Sequence, residues 1–421
     1  MTTISAAFSR TAAAFALVLA AGMLTTCKTD NLGAYDAPLA NRQNADAAES
    51  PPLPYRTGDL KPNERPAPDS DEAGLWFIAD RAESQIRTSG NRITDPKINA
   101  YLKNVVCRIA GPHCKDIRVY LLRVPASNAS MSPNGTMQIW SGFLLRFRNE
   151  AQLASVIGHE AGHYLRRHSL QRMRNIIEQT NTFSFLQFAL AGVGAGAGIG
   201  ILDVAMTGGI FAFSRDNERE ADGYGILLMS EAGYDPREAS KMWKQVLREE
   251  KAHKDAESRR PEPFSSTHPA GEERAEILAR LATRVMTRTS TDVGRDRFLE
   301  AVLPIRGGLL RDELHRRQFD TFAELLDMLM EDGANMAELH YFKGELHRLR
   351  GKKDDAKIAL DAYNAAKTAE GSAPKDIDRS MALVYRRLGR PDDARAALRR
   401  YLEANPDASD AAIVRQMLEG S

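Results

Sequence analysis

The run from Asn149 to His163, NEAQLASVIGHEAGH, constrains this chain more than any other stretch. Asn149 with Gln152 three residues on is a helix-start signal. Leu153, Val156 and Ile157 follow at helical spacing as apolar anchors. On that helix His159 and His163 stand four apart, on one face and about one turn from each other. Both imidazoles can therefore reach one metal ion. Glu160 stands beside them, placed to take a proton from a water on that metal. Ala161 and Gly162 are small and permit close packing behind the pair.

A catalytic metal site of this kind needs a third protein ligand and an open position. Ser214-Arg215-Asp216-Asn217-Glu218-Arg219-Glu220-Ala221-Asp222 supplies the best candidates. Glu218 and Asp222 share a helix face; Glu218 can ligate while Asp222 orients a ligand histidine through its other ring nitrogen. Glu220 points to another face and reads as an exposed charge. His168, five after His163, falls off the ligand face and reads as packing or as support for a ligand.

These motifs resemble the HtpX-like and CAAX-prenyl-protease family of zinc metallopeptidases, gluzincins in which Glu is the third ligand. The match covers roughly residues 71–285. It runs in order through His159-Glu160-x-x-His163, Ser214-Arg215 with Glu218-x-x-x-Asp222, and Ser266-Thr267-His268-Pro269 followed by Arg274. The resemblance implies one Zn2+ per chain on His159, His163 and Glu218, with Glu160 as catalytic base. It implies that His268 approaches the site, to stabilise the developing oxyanion or to ligate the metal in an inhibited state. Arg274 would bind a substrate or transition-state oxygen, or form an ion pair. The stretch 127–145 looks like the family's edge strand, which in relatives lies along the bound substrate.

Around this centre the sequence is that of an α+β protein. Asp95-Pro96 starts a helix, Ile117–Val124 and Thr136–Trp140 read as strands, and Asn134-Gly135 is a hairpin signal. Helical patterns dominate afterwards, so the expected catalytic unit (71–290) is a mainly helical zincin-type domain with a small sheet. Towards the C-terminus Gly351, Ala356, Leu360 and Tyr363 recur 38 residues later as Gly389, Ala394, Leu398 and Tyr401. This resembles tetratricopeptide repeats, with a degenerate earlier unit through Leu314, Ala323 and Met330. An all-α repeat domain is expected over 300–421.

Residues 1–27 carry a single charge, Arg10, and an apolar run from Ala12 to Leu24. That run is too short to span a bilayer and fits a secretory signal. Leu24-Thr25-Thr26-Cys27 resembles a bacterial lipobox, with Thr26 departing from the usual small residue. Lipidation at Cys27 and cleavage without lipid both stay open. Residues 28–70 read as a flexible linker. In an oxidising compartment Cys107 and Cys114, on either side of the Gly111-Pro112 turn, are suited to a disulfide. The apolar stretch 183–213 is rich in glycine and contains Asp203, which favours two short buried helices over a membrane span.

Lys+Arg number 57 against 56 Asp+Glu. That balance lacks the basic excess of a nucleic-acid binder. Export together with repeats points to the family's periplasmic branch. The expected function is a zinc endopeptidase of the Gram-negative periplasm, tethered to the outer membrane if Cys27 is lipidated. It would act on unfolded or misassembled polypeptides, with the repeats docking on outer-membrane assembly machinery. The alternative is a latent protease that works mainly as a chaperone or scaffold.

Overall fold

The computed structural model describes residues 59–179, 213–252, 262–268, 271–286 and 291–419. The expected signal segment, Cys27, the linker up to residue 58 and the glycine-rich stretch 183–212 lie outside the described residues. Helix α1 (Asp71–Thr88) starts at Ser70, whose hydroxyl accepts the Ala73 N–H. Helix α2 (Pro96–Ala110) starts at Asp95, which accepts from Lys97 and Ile98. Gly111 ends α2 at φ +51°, in the left-handed region that suits glycine. The chain then turns through a short 3-10 helix, and Cys114 is bonded to Cys107.

Strands β1 (Arg118–Leu122), β2 (Ala129–Met131) and β3 (Thr136–Trp140) form one sheet in the order β1-β3-β2. The Asn134-Gly135 turn joins β2 to β3 as an antiparallel pair, and β1 lies parallel on the far side of β3. Of the stretch expected as an edge strand, only β2 is the edge; β3 is central and buried over all five residues. The reason is that the parallel pairing with β1 covers the second side of β3.

A short helix, α3 (Ser141–Leu144), leads into α4 (Glu150–Leu165), which is buried along its whole length. Helix α5 (His168–Gln179) follows, and α6 (Arg215–Glu231) packs across α4. The crossing is close because glycines line it. A Cβ on Gly225 would stand 2.9 Å from the His159 nitrogen, and one on Gly162 would stand 3.0 Å from Ala221 Cα. Helices α7 (Arg237–Lys251), α8 (Pro263–Thr267) and α9 (Glu272–Val285) complete the unit.

Helical pairs follow: α10 (Arg295–His315) with α11 (Phe319–Glu331), α12 (Met336–Arg350) with α13 (Asp355–Thr368), and α14 (Ile377–Arg387) with α15 (Pro391–Ala404). Helix α16 (Ala411–Glu419) ends the described chain. Within the second pair Gly344 admits the ring of Tyr363, which an added Cβ would meet at 2.4 Å. Its counterpart Ala382 is buried with Leu398 and Tyr401. The protein is thus mostly helical with one small sheet, the expected α+β class.

Two expected boundaries are blurred by packing. Phe298, Leu310 and Tyr363 belong to the same apolar core as Ile98 and Val156, so the repeat helices share a core with the catalytic helices. Residues 59–70, expected within the linker, lie on the domain instead. The Leu60 N–H donates to Leu165 O at 2.9 Å, and Asp59 accepts from the Tyr224 hydroxyl at 2.7 Å. Buried Leu60 supplies the anchor that the polar composition hides.

The crossing predicts opposite outcomes for two glycines. Gly225→Ala must push α4 and α6 apart and should lower stability by about 1–3 kcal/mol. Gly74→Ala, on the exposed face of α1 with nothing within 4 Å of the new methyl, should raise it by roughly 0.5–1 kcal/mol. Thermal denaturation of both variants checks the pair.

Candidate metal centre

Three helices and one short segment bring the site together. Helix α4 supplies His159, Glu160 and His163; α6 supplies Glu218 and Asp222; α9 supplies Arg274. His268 follows α8. Helix α6 begins at Ser214, whose hydroxyl accepts the Asn217 N–H, and this cap sets the phase at which Glu218 faces α4. One donor atom each from His159, His163, Glu218 and His268 lies within 4.8 Å of the others, and all four residues are buried.

The inner distances are short. His159 Nε2 lies 3.1 Å from His163 Nε2, 3.5 Å from Glu218 Oε2 and 3.1 Å from His268 Nδ1. His163 Nε2 lies 3.4 Å from Glu218 Oε1. The outer ring nitrogens fix the tautomers. His159 Nδ1–H donates to Asp222 Oδ1 at 2.8 Å. His163 Nδ1 meets His168 Nδ1 at 2.8 Å, and His168 Nε2 meets Glu220 Oε2 at 3.0 Å. A proton donated to Glu220 leaves His168 Nδ1 as acceptor, so His163 donates to it. Both histidines therefore turn an Nε2 lone pair inward, as metal ligands would need to.

Two buried lone pairs facing each other beside a carboxylate repel one another unless a cation lies between them. The two-nitrogen, one-carboxylate set suits a divalent transition metal. The surrounding electrostatics agree. Burial lowers the pKa of His159 and His163, against the pull of Asp222 and Glu218, and keeps the imidazoles in the neutral form that ligates. Burial alone would raise Glu218, but His268, His163 and His159 outweigh it and hold its carboxyl well below the usual range. Glu160 is different: burial pushes its carboxyl up to about 7, with His268 opposing.

Arg274 is turned towards two carboxylates. Its Nε and Nη2 hold Asp222 Oδ2 and Oδ1 at 2.8 and 2.7 Å, Nη1 lies 3.2 Å from Glu218 Oε2, and the guanidinium sits 4.0 Å over the Trp243 ring. Of the two expectations for Arg274, the ion pair is the one seen, a buried bidentate contact with Asp222. Glu220 is likewise not an exposed charge, since it holds His168 and Arg166. The Phe213 ring stacks on His163 at 3.9 Å and walls the centre. His168 stands behind His163, as one of its two expectations had it, while its pairing with Glu220 had no sequence signal because the two are 52 residues apart.

The Asp222–His159 contact gives a direct test. Asp222→Asn keeps the shape but removes the carboxylate that fixes the His159 tautomer. Metal affinity should fall about 10- to 100-fold, measured by competition with a chromogenic chelator.

Comparison with known proteins follows the same residues. Residues 92–282 match Peptidase family M48, and residues 376–417 match a tetratricopeptide repeat. The chain is 33% identical over 161 residues to the mitochondrial metalloendopeptidase OMA1 of Arabidopsis thaliana, covering 38% of this chain and 30% of that protein. It is 27% identical over 177 residues to OMA1 of Schizosaccharomyces pombe, covering 42% and 50%. It is 29% identical over 202 residues to the putative beta-barrel assembly-enhancing protease of Vibrio cholerae, covering 45% and 40%. The aligned part thus spans half or less of each relative's length. The helix pair that carries the His/Glu cluster falls inside the matched region, so residues 92–282 form a Peptidase family M48 domain, followed by tetratricopeptide-repeat helices.

Proposed function

We propose that this protein is a zinc-dependent endopeptidase of the cell envelope that hydrolyses unfolded or misassembled polypeptides. The observation that carries the reading is Glu160. It is buried beside three convergent ligands, has an Oε1 atom without a hydrogen-bond partner, and has a carboxyl raised to about 7. A carboxylate of that basicity next to a metal site is suited to general-base work. Zn2+ held by His159, His163 and Glu218 would polarise the scissile carbonyl and acidify the attacking water. Glu160 would take the proton from that water and pass it to the leaving amine nitrogen.

Strand β2 supports the substrate class. Its inner edge pairs with β3, and Ala129 and Met131 turn their backbone groups to the opposite edge, towards α4. An extended chain can pair there by main-chain hydrogen bonds, which selects unfolded segments over compact ones. The relatives named beta-barrel assembly-enhancing protease support a role in outer-membrane protein quality control. On this reading the chain is exported to the periplasm, cleaved before or lipidated at Cys27, and docked through its repeats on outer-membrane assembly machinery.

His268 favours a latent resting state over an oxyanion role. Its Nδ1 stands 2.9 Å from Glu218 Oε1, within the ligand cluster, and its Nε2 stands 3.4 Å from Glu160 Oε1. A histidine in that place competes with substrate for the metal and for the base.

The two residues separate in a cleavage assay with casein. Glu160→Gln should retain zinc and lose about 10²- to 10⁴-fold in rate. His268→Ala should cleave faster than wild type. A slower His268→Ala enzyme that keeps its zinc would restore the oxyanion role.

A further inference from the structure

The segment that carries His268 is clipped at its start to the substrate strand. The Phe264 N–H donates to Ser127 O at 2.9 Å, and Glu262 Oε2 accepts the Ser127 N–H at 2.6 Å. Ser127 lies two residues before β2, and the Trp140 N–H donates to Asn128 O, so the Ser127 backbone groups face the same edge as those of Ala129 and Met131. Residues 262–264 therefore take the first position on the edge where a substrate would pair. Phe264 wedges the segment against Phe143 and Trp243, at ring distances of 4.4 and 5.4 Å, and touches His268 at 4.9 Å.

The second oxygen of Glu262 leads elsewhere. Glu262 Oε1 accepts from Arg316 Nη2, at the C-terminal end of α10. Arg316 also donates to Glu313 at 2.8 Å, and Glu313 with Glu249 surrounds the buried Arg146. The residues on either side of Arg316 face the other way. Leu314, His315 and Arg317 line a cavity of about 440 Å³ among the repeat helices, together with Leu383 and Ile413. Arg317 adopts φ +59° and ends the helix there. One turn of chain thus has one face on a repeat cavity and the other on the segment that holds His268.

We infer that Glu262 is a positioning residue: through Arg316 it lets the repeat helices set where His268 stands and whether the β2 edge is open. The inference rests on the reading of His268 as the residue that keeps the site latent. Removing the Arg316 guanidinium leaves Arg146 to face Glu262, Glu313 and Glu249 together, and the excess negative charge at that depth pushes the segment outward. Phe264 stays wedged, so the change is a tilt of α8 and not unfolding. A ligand in the repeat cavity that pulls on His315 and Arg317 would act on the same turn.

The full chain tests this as a cycle of Arg316→Ala, His268→Ala and the double variant, with Glu262→Gln as a shape-preserving check on folding. Casein cleavage by Arg316→Ala should shift about fivefold, in the same direction as His268→Ala, and should add nothing in the His268→Ala background. Glu262→Gln, whose one amide oxygen can accept from Arg316 or from the Ser127 N–H but not from both in the same way, should shift in the same direction by less. In metal-free protein, hydrogen exchange at Phe264 and His268 should quicken in Arg316→Ala while α4 is unchanged. Wild-type rate and exchange in Arg316→Ala, or a shift that adds in full to that of His268→Ala, would overturn the inference. If His268→Ala is slower than wild type, the latent reading fails by itself. The clip still stands if Arg316→Ala is then slower too and adds nothing in the His268→Ala background.

Discussion

The close crossing of α4 and α6 is the constraint on which the centre depends. Gly158 and Gly162 on one helix and Gly225 on the other leave no side chain between them, and a Cβ on Gly158 would stand 3.1 Å from Gly225 Cα. At that separation Glu218 reaches the two histidines one turn apart on the facing helix. A wider crossing would leave the carboxylate short of both imidazoles, whatever their rotamers. The spacing of the candidate donor groups is therefore set by backbone packing, and their side chains inherit it.

Charge is arranged around that crossing in layers. His159, Glu160, His163, Glu218, Asp222, His268 and Arg274 sit within one buried patch, a costly arrangement unless each has a partner, since a buried charge stripped of its partner costs about 3–5 kcal/mol. Arg274 meets the cost for Asp222 and Glu218 together, and Trp243 lies under its plane. On the other side His163 donates to His168, His168 donates to Glu220, and the Arg166 guanidinium pairs with Glu220. Both ligand histidines are oriented from behind, one by a carboxylate and one by another imidazole. The same economy recurs at the repeats, where Arg146, Glu249 and Glu313 form a buried group between the two halves.

What could be read from the sequence was what is written locally. His159, Glu160 and His163 are one turn of one helix, and the Asn149 cap fixes its start, so their shared face follows from periodicity. Glu218 and Asp222 followed for the same reason. The 38-residue recurrence disclosed the repeats because small residues at Gly344 and Ala382 mark where paired helices cross. Long-range pairings left no such mark. Asn134-Gly135 specifies a turn but not which strand lies before it, so β1 was not seen as the parallel neighbour of β3. For Arg274 an ion pair was one of two expectations, but its partner Asp222, 52 residues away, carried no local signal. Residues 59–70 looked like tether because one buried Leu60 hardly alters a composition dominated by Pro, Asn and Asp.

The central claim is that α4 and α6 together hold one catalytic zinc. X-ray absorption at the zinc edge on the purified full chain tests it most directly. The account predicts one zinc per chain, with a first shell of imidazole nitrogen and carboxylate oxygen and no sulfur, and a changed shell when Glu218 is replaced by Gln. A sulfur-rich shell, or a zinc environment indifferent to Glu218, would contradict it.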